Sequence, residues 1–332
     1  MAAPETSFLR TPNACFDDVP DFPYRPNYLL NGNMRMAYID ELSPGASIEA
    51  REVFLLLHGQ PTWSFLYRKM IPIFLSQVGN SKRASRHVVA PDLFGFGRSD
   101  KPKQEAAYTF DFHREALLYL VRTLDLRNVT LVVQDWGGIL GLTLPLDLPG
   151  RVKRLIVMNT TLGTGAKPTQ GFVDWRSFCN REPDMQIGKL VGRGAKHLSP
   201  VELAAYDAPF VSADYKAGVR SFPNLVPVAA DMPGVDVSRR ALQMYGDEST
   251  VFGSNDVFVA CGMRDPVLGP PVMRVLATMF RHGCMFMEVA EAGHFVQEWG
   301  AAVARKALEA FEKQDVVEGV TRVRSPSKPS KL

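Results

Sequence analysis

Between Asn128 and Gly141 the chain reads Asn-Val-Thr-Leu-Val-Val-Gln-Asp-Trp-Gly-Gly-Ile-Leu-Gly, and no other stretch constrains the fold as much. The run Val129 to Val133 is apolar and β-branched, too short for a helix and suited to a strand buried on both faces. It stops at Gln134-Asp135; Trp136 and two glycines follow, and then an apolar segment of helical character. A strand, a sharp turn and a helix therefore present Asp135 at the C-terminal edge of a sheet, on the kind of turn that can carry a nucleophile. A carboxylate there is ionised at neutral pH, since its ordinary pKa is about 3.9. It suits displacement at a saturated carbon and leaves an alkyl ester that water can hydrolyse. Gly137 lets the turn approach its neighbours without a Cβ clash, while Val133 is bulky for its place two residues before the turn. The plain alternative is an Asp that ends a strand and caps the next helix; on this stretch alone the two readings stand level.

The surrounding pattern predicts the rest of the architecture. Residues 1–26 read as an extended arm. Tyr28 to Asp40 and Glu52 to Leu57 are strand-like, with a turn at Asn31-Gly32-Asn33. Val53 to Leu57 runs into His58-Gly59-Gln60-Pro61, Ser64 is placed to cap a helix reaching about Val78, and Gly79 to Arg86 reads as a polar, basic surface loop. Another strand follows at His87 to Ala90. Gly95 and Gly97 behind it lack the third glycine and the helix of a dinucleotide fingerprint. A helix from about Thr109 to Leu124 precedes the Asp135 strand, and Arg151 to Met158 follows it. Strand and helix alternate, which predicts an α/β fold with a mainly parallel, doubly wound sheet. The alternation lapses between Thr161 and Asp236, where aromatics and proline rise. It resumes with a helix near Ser238, a strand at Val257 to Cys261, a helix from about Pro271 to Phe280, a strand at Met285 to Val289 and a helix from Glu298 to about Lys313. The expected organisation is an arm at 1–26, a core at 27–160 and 237–315, a helical cap at 161–236 and a flexible tail at 316–332.

Composition narrows the functional classes. A net charge of +3 over 332 residues is too weak to argue for nucleic acid or an anionic membrane. No run is long enough to span a bilayer, and the first residues lack the apolar centre of a signal peptide. Cys15, Cys179, Cys261 and Cys284 are scattered without zinc-ligand spacing and read as reduced thiols. No metal or cofactor is expected.

A nucleophile at Asp135 calls for a base and an orienting acid later in the chain. His294, in Glu291-Ala292-Gly293-His294-Phe295, lies just past the last core strand, on the edge that carries Asp135. His87 begins a strand, His113 is early in a helix, His197 is in the expected cap, His282 follows a helix, and His58 belongs to a loop where a structural role is favoured. Asp265, in Gly262-Met263-Arg264-Asp265-Pro266, directly follows a strand and is the candidate acid. The alternative for it is an ordinary turn Asp before proline. Asp256 lies at the wrong end of that strand, and the position after Met158 holds Asn159, which supplies no carboxylate.

With these residues in view the chain resembles the haloalkane dehalogenases of the α/β-hydrolase superfamily, in particular the subfamily whose acid follows the later strand. The likeness rests on His58-Gly59-Gln60-Pro61-Thr62-Trp63-Ser64, Val132-Val133-Gln134-Asp135-Trp136-Gly137-Gly138, Gly262-Met263-Arg264-Asp265 and Ala292-Gly293-His294-Phe295-Val296-Gln297-Glu298, and runs from about residue 20 to 313. It implies the α/β-hydrolase fold with an inserted helical cap, Asp135 as nucleophile, His294 as base and Asp265 as the acid orienting it. It implies halide held by the indole N–H groups of Trp136 and Trp175, which can donate but not act as bases. It also implies an oxyanion hole from the backbone N–H groups of Gln60 and Trp136, and a pocket lined by Phe172, Phe222, Pro223 and Val226. The subfamily usually has Glu where Gln60 stands. Gln60 either adds an amide donor to the halide site or contributes its backbone alone.

The implied substrate is a haloalkane, the implied products are an alcohol and a halide ion, and the expected assembly is a monomer. Epoxide hydrolases resemble the same motifs but need acidic hydroxyls above the nucleophile, because an alkoxide leaving group wants a proton. Tyr206 and Tyr215 keep that alternative open. A non-catalytic binding protein on this fold would be expected to lack part of the Asp-His-Asp set. The terminal Ser330-Lys331-Leu332 matches a peroxisomal import tripeptide read by a receptor. It predicts peroxisomal location if the source is eukaryotic and the cytoplasm otherwise.

Overall fold

The computed structural model describes residues 7–44, 51–76 and 85–325. The strands in chain order are β1 (Phe8–Leu9), β2 (Asn27–Asn31), β3 (Met34–Leu42), β4 (Arg51–Leu57), β5 (Ser85–Pro91), β6 (Lys101–Pro102), β7 (Val129–Gln134), β8 (Val152–Met158), β9 (Val257–Gly262), β10 (Cys284–Val289) and β11 (Val320–Val323). The helices are α1 (Ile71–Leu75), α2 (Phe110–Thr123), α3 (Trp136–Gly141), α4 (Gln170–Arg181), α5 (Ile187–Gly194), α6 (Pro200–Asp207), α7 (Ala217–Leu225), α8 (Val235–Gly246), α9 (Pro270–Ala277) and α10 (Gly300–Lys313). Nine strands form one sheet in the order β11-β10-β9-β8-β7-β4-β5-β3-β2, while β1 and β6 pair separately. The five central pairings, from β10 through β5, are parallel; β2 with β3, β3 with β5, and β10 with β11 are antiparallel. This is the α/β-hydrolase architecture.

Burial explains the central order. Every residue of β7 and β9 is buried, as expected of parallel strands covered on both faces, where continuous apolar runs replace alternation. The chain reverses strand order between β5 and β7, so the C-terminal ends of β4, β7, β9 and β10 meet at one edge, where α/β folds place their sites. Four helices, α4 to α7, lie between β8 and α8 and form a helical insertion over that edge. The insertion is tied to the core by polar groups as well as apolar contact. Arg68 makes a two-pronged contact with Glu298 (2.7 and 2.9 Å) and reaches Glu202 of α6 at 2.7 Å, and the Tyr206 hydroxyl donates to the Glu298 carboxylate. The Trp63 indole N–H donates to the Ala205 carbonyl at 3.1 Å.

Several expectations are corrected. The helix expected from Ser64 to about Val78 is a 3-10 turn at Ser64–Tyr67 followed by the five-residue α1. Pro72 lacks an N–H and starts a new first turn instead of continuing an old one, and Ser64 does not cap: its backbone N–H donates to Asp92 at 2.8 Å. The described part of the N-terminal arm packs on the core, with Phe16 and Phe22 buried edge-on against Trp63. The segment expected to be a tail from 316 begins as structure. Buried Val317 and Val320 anchor it, and β11 pairs along β10. Phe286 and its strand neighbours need an edge partner, and local composition does not reveal that need. The loop expected at 79–86 lies mostly outside the described residues, and Ser85 and Arg86 belong to β5. Among the described residues no helix is long and apolar enough to cross a membrane, and no cluster of three or more potential ligands could hold a metal ion.

Candidate active site

Asp135 sits where β7 gives way to α3, with φ 51° and ψ −124°, a backbone state that costs a side-chain-bearing residue energy and is found at functional turns. The surroundings hold it there. Its N–H donates to the Asn159 carbonyl (3.0 Å) and its own carbonyl accepts from the Thr160 hydroxyl (2.6 Å). The turn needs glycine beside it: a Cβ on Gly137 would stand 1.9 Å from the Leu57 carbonyl oxygen. The Asp135 side chain makes no cap bond to α3, so the helix-capping reading is not what the residue does. Its Oδ1 instead accepts the backbone N–H of Gln60 at 2.8 Å. Among the described residues no corresponding bond from the Trp136 backbone N–H is present.

His294, after β10, faces Asp135 and Asp265. Its Nδ1 lies 2.8 Å from Asp265 Oδ2, and its Nε2 lies 3.6 Å from Asp135 Oδ2. Asp265 is buried and fully engaged: it accepts from Asn159 Nδ2 (2.7 Å) and from the Val267 N–H (2.8 Å) besides the imidazole. Burial alone would raise its pKa, but His294 and these donors outweigh burial and hold it below the usual carboxylate range. For His294 burial acts to lower the pKa. The Asp265 and Asp135 carboxylates and their hydrogen bonds win, and it is pushed up to about 10.

Two contributors were not singled out from sequence. Asn159 had been set aside as no acid, yet it grips Asp265 with its amide and the Gly262 N–H with its oxygen (2.8 Å). Gln134, buried at the end of β7, donates its amide to the His294 carbonyl (3.2 Å) and holds the same nitrogen 2.9 Å from His294 Nε2, where it can donate when the imidazole is neutral, leaving its own oxygen without a partner. Their places on the catalytic edge, at the last residue of β7 and the first residue past β8, were the signal available.

Asp135, Trp136, Trp175, Asp265 and His294 line one cavity of about 810 Å³. Of the four tryptophans only these two face it. Trp63 spends its N–H on Ala205, and Trp299 packs against His197 at 4.6 Å. Trp175 is carried by α4, which Thr169 caps through the Phe172 N–H at 3.2 Å and which rests on Pro266 so closely that Gly171 has no room for a side chain. Phe172, Pro223 and Val226 line the cavity as expected. Phe222 does not: it is wholly buried behind Trp136, ring centroids 4.8 Å apart, because neighbouring residues on α7 point about 100° apart and Pro223 takes the cavity side. The Gln60 amide donates to the Val219 carbonyl of α7 at 2.9 Å, tying the loop after β4 to the insertion. Neither Tyr206 nor Tyr215 lines the cavity; Tyr206 is buried against Glu298 and Arg68. None of the remaining histidines lines the cavity. His58 is buried, with Nδ1 2.9 Å from the Gly59 carbonyl and Nε2 accepting from the Leu93 N–H at 3.0 Å, and His87 meets Asp40 at 2.5 Å. His113 is buried under Phe222 and pushed down to about 3 by burial.

The family model described as α/β hydrolase fold matches residues 52–301. A haloalkane dehalogenase of Psychrobacter cryohalolentis is 36% identical over 91% of this chain and 97% of its own length. Haloalkane dehalogenase 1 of Mycobacterium bovis is 39% identical over 90% of this chain and 97% of its own. Among solved structures, the tetrameric haloalkane dehalogenase DpaA of Paraglaciecola agarilytica superposes with a TM-score of 0.84 at 45% identity, over 92% of this chain and 99% of that one. Motifs, sheet order and near full-length likeness agree: the chain belongs to the haloalkane dehalogenase family, on the α/β-hydrolase fold.

Proposed function

We propose that this chain hydrolyses the carbon–halogen bond of haloalkanes, with Asp135 as nucleophile. The observation that carries the reading is the Asp135 carboxylate held on its strained turn by the Gln60 N–H at 2.8 Å, in a cavity that also presents two indoles and His294. One Asp135 oxygen attacks the carbon bearing the halogen. The carbon–halogen bond breaks, the halide leaves with the electron pair, and an alkyl ester forms. The Trp136 and Trp175 indole N–H groups are the donors for the departing anion, and an apolar surrounding strengthens such bonds. His294 Nε2 then takes a proton from water as the water oxygen attacks the ester carbonyl carbon. The Gln60 N–H, with that of Trp136, holds the resulting oxyanion. Collapse frees the alcohol and restores the carboxylate, and the proton leaves from His294.

The inserted helices act as a cap that supplies Trp175 and excludes water. With the Gln60 amide committed to Val219, its backbone is the part that serves the reaction. The epoxide alternative is not favoured, because no tyrosine lines the cavity and an alkoxide would leave without an acid. The test is halide release from terminal bromides with mass spectrometry of the protein under turnover; halide without any transient adduct on Asp135 defeats the mechanism. We propose a monomer, which light scattering would report at 36.8 kDa against four times that for a tetramer like that of the Paraglaciecola relative. Peroxisomal import through Ser330-Lys331-Leu332, which lies outside the described residues, is a further proposal. An N-terminal fluorescent fusion that ignores deletion of the three residues would remove it.

A further inference from the structure

The cavity that holds Asp135 is much larger than a short haloalkane requires. At about 810 Å³ it lies toward the upper end of the ~300–1,000 Å³ typical of sites that enclose drug-sized ligands. One end carries the carboxylate and the two indoles, and the lining continues onto α8 and α9. Pro271, Val272, Val275, Leu276 and Met279 all face it. Their spacing is that of one helical stripe, so an apolar face of α9 and the residues just beyond it border the cavity for roughly 12 Å at 1.5 Å per residue. Leu242 of α8 lines it from the other side.

This arm reaches solvent. Val275 is 72% exposed and Leu242 39% exposed although both line the cavity, so it opens to solvent where α8 and α9 border it; exposed Lys167 and Thr169 border it from the loop before α4. The cationic side chains that touch the cavity, Lys167, Arg193 and Arg264, belong to the loop before α4, to α5 and to the turn after β9. None comes from α8 or α9. An apolar arm continuous with the nucleophile, free of charge along its helical walls and open at its far end, fits an unbranched hydrocarbon chain.

We propose that the preferred substrates are terminal haloalkanes with long unbranched chains, the halogen at Asp135 and the chain lying along α9 toward the Leu242–Val275 rim. This rests on the assignment of Asp135 as the nucleophile. A short substrate occupies only the indole end and leaves the arm unused. Each further methylene enters apolar surroundings, and one buried methylene is worth up to about fourfold in binding, the equivalent of ~0.8 kcal/mol. Because that gain is made from the free enzyme, it is read in kcat/KM and not in kcat alone.

The experiment is a kcat/KM series over the terminal bromides of propane, hexane and decane, read by halide release, with wild-type protein and with Val272→Trp. Val272 is only partly buried, so the indole has room to form without displacing the core. Leu242→Trp, at the more open rim, is the second variant should the first fail to fold by thermal melt. The expected result is a kcat/KM that climbs about tenfold or more from propane to decane in wild type, and a decane-to-propane ratio cut about tenfold by either tryptophan. A wild-type profile that is flat or falling, with halide released throughout, overturns the long-chain inference and leaves the dehalogenase reading intact. An unchanged ratio in both folded variants overturns the α8–α9 path. No halide from any of the three bromides overturns the assignment of Asp135 and the inference with it.

Discussion

Nε2 of His294 lies 3.6 Å from Oδ2 of Asp135, and that spacing couples the base to the nucleophile's charge. With Asp135 ionised, it and Asp265 hold the imidazole up at about 10, so at neutral pH the free site carries an imidazolium between two carboxylates. Esterification removes the Asp135 charge and with it one of the causes of that rise. The imidazole pKa then falls, although Asp265 still holds it up, and a larger share of His294 is neutral and able to accept a proton from water once there is an ester to hydrolyse.

Asp135→Ala should reduce halide release by at least about four orders of magnitude, the size of effect seen when a covalent nucleophile is removed. Folding should survive, because the wild-type residue already sits at φ 51° and an alanine there meets the same strain. Wild-type-like turnover by a verified variant would falsify the nucleophile assignment.

His294→Gln should separate the two halves of the reaction. Attack on carbon needs no base, so the variant should release about one equivalent of halide in a burst and then stop. Mass spectrometry should find the alkyl group on Asp135. Normal turnover, or a burst without adduct, would count against His294 as the base.

Trp175→Phe keeps an aromatic ring to stack on Phe178 (5.8 Å) and removes the indole N–H together with the pyrrole part of the ring system. A hydrogen bond to a charged partner is worth ~1.5–3 kcal/mol, so the bromide Kd should rise about ten- to hundredfold with little change in melting temperature. Unchanged bromide quenching of tryptophan fluorescence would make Trp175 mere packing.

Gln134→Met tests the donor to His294 Nε2. That amide hydrogen bonds only to the lone pair of the neutral imidazole, and its pinning to the His294 carbonyl at 3.2 Å keeps the oxygen turned away. Removing it destabilises the neutral form, so the imidazole pKa rises and more of the ester state is protonated at a given pH. The acid limb of the ester-hydrolysis rate should therefore move to higher pH, by roughly half to one unit for a bond of ~0.5–1.5 kcal/mol, while the halide burst is unaffected. An unmoved limb in single-turnover measurements would leave Gln134 a packing residue.

Glu298→Ala removes the partner of Arg68 where both side chains are essentially unexposed, 0% and 1%. Breaking one side of a buried pair costs about 3–5 kcal/mol. Urea unfolding should register a loss of that order, and a loss below about 1 kcal/mol would show that Glu202 and solvent replace the contact.

What the sequence alone determined was local and chemical. The β-branched run ending in Gln134-Asp135, with Gly137 behind it, specified a strand, a tight turn and a helix, because few backbones accommodate that order. Asp265 and His294 each stood one turn past a buried strand, so the strand order placed them on one edge with Asp135. The features decided only by tertiary structure depend on neighbours distant in the chain. Asn159 became the clamp on Asp265 because β8 and β9 are adjacent in the sheet, 103 residues apart at Asn159 and Gly262. Phe222 turned away from the cavity because the phase of α7 is set by its packing on Trp136 and Phe96. β11 formed because an edge strand needs hydrogen-bonding partners, a demand that belongs to β10 and is invisible in the composition of the tail. The arm between α8 and α9 belongs to the same class: a stripe of apolar residues at helical spacing reads as core from sequence, and only the packing of the two helices leaves it facing a cavity.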